Sequence, residues 1–142
     1  MARRRPPTVH GLAIVDKPAG VTSHDVVGML RRRLGETLRE VIAEELVKID
    51  DERLAFVTVT AIDVDNEMNR AIVYFDSLDG EDGDTTIQEV LEEHRRRIQA
   101  SINRQMRAKK TPVLDFRPDD VIRAAERIED IIRTDRVERP DA

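Results

Sequence analysis

No cysteine occurs in this chain, which excludes disulfides and thiolate-bound zinc and makes a reducing compartment its natural setting. No apolar run approaches the length of a membrane span, and the basic opening "MARRR" is followed by no apolar signal core. A cytoplasmic protein with no membrane partner is therefore expected. Aromatic residues are scarce: Phe56, Tyr74, Phe75 and Phe116 are all there are, and each lies in a strand-like stretch. At least half should be core, so stacking of nucleobases on an aromatic platform is excluded as a main binding mode. Glycine stops at Gly83, and no internal repeat is visible.

What the chain has in excess is charge, 37% of residues, against 39% apolar, enough for a small core in one domain plus an appendage. The formal net charge of −5 averages over a strong segregation. Residues 1–35 hold seven basic and two acidic groups, and residues 36–93 hold four and eighteen. Residues 94–110 hold seven basic and no acidic groups, and residues 111–142 hold six and nine. A polyanion is repelled by the acidic middle and drawn to the cationic run, so it must approach in one orientation.

The basic residues 1–9, with Pro6-Pro7, suit a mobile arm, and Leu12–Val15 reads as a short strand ended by Pro18 and Gly20. Thr22 or Ser23 caps a helix from about His24 to Arg33, with Asp25 placed for a capping box. This strand–turn–helix is too small to bury its own apolar faces. From Leu34 the residues Leu38, Val41, Ile42, Leu46 and Ile49 recur at helical spacing. A hairpin follows from about Leu54 to Asp76, its first strand alternating Val57, Val59 and Ala61 against Phe56, Thr58 and Thr60. An acidic glycine loop leads to a long helical pattern of Ile87, Val90, Leu91, Ile98, Ile102 and Met106, ended by Pro112. "PVLDF" is a third strand, and a last helix carries the stripe Val121, Ala124, Ala125, Ile128, Ile131 and Ile132 before a polar tail. The expected architecture is α+β, in the order α-β-β-α-(α)-β-α, with helices packed on a three-stranded sheet.

Several constellations look chemical and are better read otherwise. Ser23, His24 and Asp25 are the letters of a hydrolase triad, but adjacent helical residues point in different directions and cannot converge. "DVDNE" and "DGEDGD" lack the glycine and terminal glutamate spacing of a calcium loop, so turn chemistry is the default. His10, His24 and His94 show no paired spacing for a metal, and no cofactor is expected. The serious candidate is the cationic run: Arg95, Arg96, Arg97, Arg104, Arg107, Lys109 and Lys110 beside the apolar Ile98, Ile102 and Met106. One reading is a solvated face that balances the acidic half. The other, favoured because no acid interrupts seventeen positions, is a phosphate-binding surface that Arg31, Arg32 and Arg33 extend if the N-terminal piece docks nearby.

Two resemblances are carried by particular residues. The stretches "LGETLREVIAEELVKIDDERLAFVTVTAIDVDNEMNRAIVYF", "RRIQASINRQMRAKKTPVLDF" and "AAERIEDIIR" resemble the ribosome-binding factor A family over about residues 34–134. That resemblance implies a type II KH-like domain that binds small-subunit ribosomal RNA during late maturation, without catalysis. Ordinary KH domains clamp a backbone with a GxxG loop; this family replaces it with a kink between two helices, usually marked by alanine and glycine. Those positions fall near His94–Arg96, where the chain reads His-Arg-Arg. Without glycine a kink is less favoured, and an unbroken helix from about Thr86 to Lys109 is open to the chain as well. The opening "HGLAIVDKPAGVTSHDVV" resembles instead the start of the tRNA pseudouridine synthase B family, over about residues 9–33. The "GHAGTLDP" loop that carries that family's catalytic aspartate does not follow.

The chain thus reads as a hybrid joined near Arg33–Gly35: a synthase-like segment 1–33, a KH-like domain 34–134 and a polar tail 135–142. The expected function is a non-catalytic, monomeric RNA-binding factor whose partners are the small ribosomal subunit and its rRNA. The alternatives are a catalytically incomplete pseudouridine synthase fragment, or a designed or recombined chain with no cellular partner.

Overall fold

The structure, a computed structural model, describes residues 16–106 and 111–138, so the strand expected at Leu12–Val15 lies outside the described residues. The first helix, α1, runs Ser23–Ile49. Thr22 caps it: the Asp25 N–H donates to Thr22 Oγ1 at 3.1 Å and the Thr22 N–H donates to Asp25 Oδ2 at 3.0 Å. This reciprocal pair is the capping box that the spacing predicts. The helix passes without a break through Arg33–Gly35, so the two helices expected either side of that join are one, about 40 Å long. Leu38, Val41, Ile42 and Ile49 bury one face of its C-terminal half, while Val27, Met29 and Leu30 in the first turns stay exposed. Gly35 is buried where α1 crosses the sheet, and a Cβ there would stand 3.1 Å from the Ile62 carbonyl oxygen.

A 3-10 turn at Glu52–Leu54 leads to strand β1 (Val57–Val64), which pairs antiparallel with β2 (Arg70–Ser77). A second 3-10 turn at Gly80–Gly83 opens helix α2 (Asp84–Glu93), and helix α3 (Arg95–Met106) follows at once. Strand β3 (Val113–Pro118) then pairs parallel to β2, giving the order β1-β2-β3. Ala71, Val73 and Phe75 of β2 face the helices, and the core closes over them with Leu38, Ile42, Leu91, Ile98, Ile102, Leu114 and Phe116. The alternation expected along β1 holds only to Val59. A bulge between Val59 and Ala61 inserts one residue, so Ala61 turns outward and Val64 takes the buried phase. The bulge aims Thr60 sideways, and its hydroxyl donates to Asp119 Oδ2 at 2.5 Å.

Asp119 begins the last helix, α4 (Asp120–Glu138), by accepting the Ile122 N–H at 3.2 Å. The stripe expected to pack this helix does not pack: Val121, Ile128, Ile131 and Ile132 are exposed. The side that faces the domain is polar. Arg123 is buried at 5% exposure, where its guanidinium donates to both oxygens of Asp84 and, at 3.1 Å, to Asp76 Oδ1. Those carboxylates, Asp84 foremost, hold the arginine more firmly protonated than usual. Arg127 pairs with Glu81 one turn further out, in solvent.

These contacts separate two arginines by burial. Arg123→Ala leaves Asp76 and Asp84 facing each other with no cation, and urea unfolding should register a loss of about 3 kcal/mol. Arg127→Ala should lose less than about 1 kcal/mol, and equal losses for the two variants would contradict this anchoring. The two glycines of α1 divide in the same manner. Gly28→Ala meets no atom within 4 Å and should gain up to about 1 kcal/mol in thermal unfolding, whereas Gly35→Ala should gain nothing because its Cβ presses on Ile62.

Candidate nucleic-acid interface

Of the cationic run predicted from sequence, Arg95, Arg96, Arg97 and Arg104 fall on α3, and burial sorts them. Ile98, Ser101 and Ile102 turn inward, which leaves Arg96, Ala100, Asn103 and Arg104 on the outer side. Arg95 folds back: Nε and Nη2 donate to the Glu92 carboxylate at 2.7 and 2.6 Å, and its guanidinium carbon stands 5.8 Å from the Phe116 ring centroid. Arg97 donates to Glu45 Oε1 at 2.8 Å and to the Lys48 carbonyl at 3.2 Å, tying α3 to the end of α1. Glu45 is buried, and the Arg97 hydrogen bond, with help from Ser101, holds its carboxyl below the usual range. Arg96 and Arg104 make no hydrogen bond or ion pair among the described residues, and both are exposed. Eight residues apart, they project within about 80° of each other around the helix. Arg107, Lys109 and Lys110 lie outside the described residues.

The arginines of α1 are placed differently from the expectation. Arg31 is engaged with the hairpin: Nε donates to the Val64 carbonyl at 2.8 Å and Nη1 to Asn66 Oδ1 at 2.7 Å. It is a capping group for the end of β1, a role that no sequence pattern announced. Arg32 and Arg33 are exposed, with Arg33 at 3.9 Å from Glu36. They sit at the hairpin end of α1, about 25 Å along the helix from the Lys48 contact of Arg97. The chain leaving α3 returns to that same end, because the Val113 N–H donates to the Asn69 carbonyl at 2.9 Å.

Between α2 and α3 the helical run is interrupted at His94, with φ −93° and ψ 0°. This resolves the open choice between kinked and unbroken helices in favour of the break. The His94 Nε2–H donates to Asp51 Oδ2 at 3.0 Å, since an ionised carboxylate can only accept. Asp51 also receives Arg53 three times: the backbone N–H and Nε on Oδ1, each at 3.0 Å, and Nη2 on Oδ2 at 2.8 Å. Arg53 Nη2 reaches Glu93 as well, at 3.0 Å. Arg53 first and His94 second hold the Asp51 carboxyl far below the usual carboxylate range. Sequence reasoning missed this cluster, although one signal was present: His94 falls on the helical row of Ile87, Leu91, Ile98 and Ile102.

Among the described residues no three His, Asp or Glu side chains gather as a metal would require, and no helix is long and apolar enough to cross a membrane. What the site offers is fixed positive charge on a rigid helix, with a small residue, Ala100, between two outward arginines. The model of the ribosome-binding factor A family matches residues 30–132. The chain belongs to that family. A ribosome-binding factor A of Rubrobacter xylanophilus is 34% identical over 103 residues, covering 72% of this chain and 84% of that protein. The crystal structure of the family member from Thermus thermophilus superposes with a TM-score of 0.56 at 28% identity, over 62% of this chain and 94% of that one. A homology model of ribosome-binding factor A from T. thermophilus, fitted into a cryo-EM map of its complex with the 30S subunit, gives 0.53 at 29% identity, over 61% and 92%. The KH-like α+β fold expected from the sequence is the fold observed. The family match begins inside α1, whose first turns precede it.

Both Asp51 and Glu45 titrate lower in the folded chain than in the unfolded one. Their stabilisation is complete above the unfolded carboxyl pKa, about 4, and is lost as pH falls toward the folded values. Stability measured by urea between about pH 5 and pH 2 should therefore fall steeply in the parent chain. Asp51→Asn and Glu45→Gln should each start lower and fall less; parallel curves would show that neither carboxyl contributes.

Proposed function

We propose that this chain is a non-catalytic RNA-binding factor that assists maturation of the small ribosomal subunit, meeting its rRNA through the outer side of α3. Family membership supports the class of function, and the T. thermophilus relative is described in complex with the 30S subunit. The observation that carries the site is the pair Arg96 and Arg104: both exposed, unpaired among the described residues, and set in a run of seventeen positions with no acid. Phosphates are held there by charge and not by stacking, because α3 carries no aromatic: Phe75 and Phe116 are buried, the half-buried Tyr74 lies in β2 and the exposed Phe56 precedes β1. Arg107, Lys109 and Lys110 continue the surface on sequence grounds, with Arg32 and Arg33 at its far end. Arg95 and Arg97 shape it more than they contact RNA, since each already holds a carboxylate. The factor works as a cytoplasmic monomer without cofactor. The segment that resembles pseudouridine synthase B contributes residues 23–33 as a helical lead to α1 and, in this reading, no catalysis.

Charge reversal tests the surface. Arg96→Glu with Arg104→Glu should weaken co-sedimentation with small ribosomal subunits at least about tenfold near 0.1 M salt, and flatten the logarithmic salt dependence by about two. Arg31→Glu should act on hairpin stability instead, through Val64 and Asn66. Unchanged binding by the double variant would sink the proposed interface.

A further inference from the structure

The turn at His94 has no cause in its own stretch of sequence. Residues 84–106 contain neither glycine nor proline, and helices otherwise bend at those residues, at bulges, or where a side chain or water is inserted. Most of residues 86–99 are good helix formers, among them three glutamates, three arginines, two glutamines and a leucine. Left to local preference, α2 and α3 would be one rod. In that rod His94 would sit on the inward row between Leu91 and Ile98, both at 1% exposure or less, with an imidazole that needs a polar partner. The observed structure resolves this conflict by changing the backbone: ψ at His94 stands roughly 40° from the helical value. The ring is then half-buried and aimed at the 3-10 turn that follows α1.

We propose that Asp51, braced by Arg53, is the positioning residue for the RNA surface: by holding His94 it fixes the turn between α2 and α3 and so the direction in which Arg96 and Arg104 project. This rests on the reading of α3 as the RNA-contacting helix. The holder is itself rigid. Asp51 follows directly on Asp50, the left-handed residue that ends α1 at φ 51°, and it caps the 3-10 turn through the Arg53 N–H. Arg53 bridges to Glu93, the last residue of α2, so that residue and the turn residue His94 are tied to one point. The charged groups around His94 are Asp51, Arg53, Glu93 and, on its own C-terminal side, Arg95, which is held by Glu92. In this chain a tertiary clamp does what a flexible residue would otherwise do, and it does so with a defined angle.

The test uses the full chain and purified small ribosomal subunits. His94→Ala, which supplies a strong helix former and removes the ring, should slow amide hydrogen exchange across residues 94–98 as the two helices merge. It should also weaken subunit binding about fivefold or more while the urea midpoint of the domain stays near that of the parent. Asp51→Ala should produce the same slowing and the same loss of binding, together with the lower urea midpoint expected when that carboxylate is removed, and the double variant should add little to the first two. His94→Gln, whose side-chain amide can donate to Asp51, should restore most of the binding. Parent-like binding by His94→Ala, in a protein where Arg96→Glu with Arg104→Glu does lose binding, would overturn the clamp and leave the interface standing. If the arginine variant binds normally, the interface reading fails first and the clamp with it. Faster exchange throughout the domain in both His94→Ala and Asp51→Ala, with binding lost in proportion to folding, would assign the pair to stability alone and overturn the positioning role.

Discussion

The parallel pairing of β2 with β3 is the constraint on which the rest of the architecture hangs. Parallel neighbours need a crossover that carries the chain back along the sheet, and here α2 and α3 supply it. The eight residues of β2 span about 26 Å, whereas a straight helix from Asp84 to Met106 would span about 35 Å. The turn at His94 shortens that span. From that turn follow the contact of α3 with α1 through Arg97 and Glu45, and the outward placement of Arg96 and Arg104. The same crossover delivers the chain to the hairpin end, where Val113 meets Asn69.

Charge in the sequence and charge on the surface are different quantities in this molecule. The run from His94 to Lys110 reads as one uninterrupted cationic block, yet Arg95 and Arg97 are each closed onto a carboxylate. Part of the acidic middle is cancelled in turn by α4, whose Arg123 and Arg127 take Asp76, Asp84 and Glu81. The opposition of an acidic and a basic half is therefore softened by contacts that sequence distance conceals. What remains outward is smaller and more directional than a residue count implies.

Local signals were legible and long-range ones were not. The capping box of Thr22 and Asp25, the apolar row of α1 and the two strands of the hairpin obey spacing rules that act within a few residues. Where the reading departed from the structure, a distant partner decided the outcome. The Thr60 bulge reverses the phase of Ala61 and serves Asp119, fifty-nine positions away. Arg31 turns to Val64, and His94 to Asp51. For α4 the periodic stripe was correctly located but its burial was not: periodicity says which residues share a side, and the buried Arg123 with its two carboxylates sets which side meets the domain. The candidate site follows the same rule. Its helix and its charge were visible in sequence, and the division between free and engaged arginines was not.

The attachment of α4 also has a mechanical side. Asp119, Arg123 and Arg127 anchor α4 through its first half, and beyond Arg127 the apolar Ile128, Ile131, Ile132 and Val137 are exposed. Fifteen residues run from Arg123 to Glu138, an arm of about 22 Å. A tilt of about 10° at the buried guanidinium moves the far end by about 4 Å at that arm length. The helix is a lever whose pivot is an ion pair, so small adjustments among three side chains are magnified into the sweep of an apolar edge.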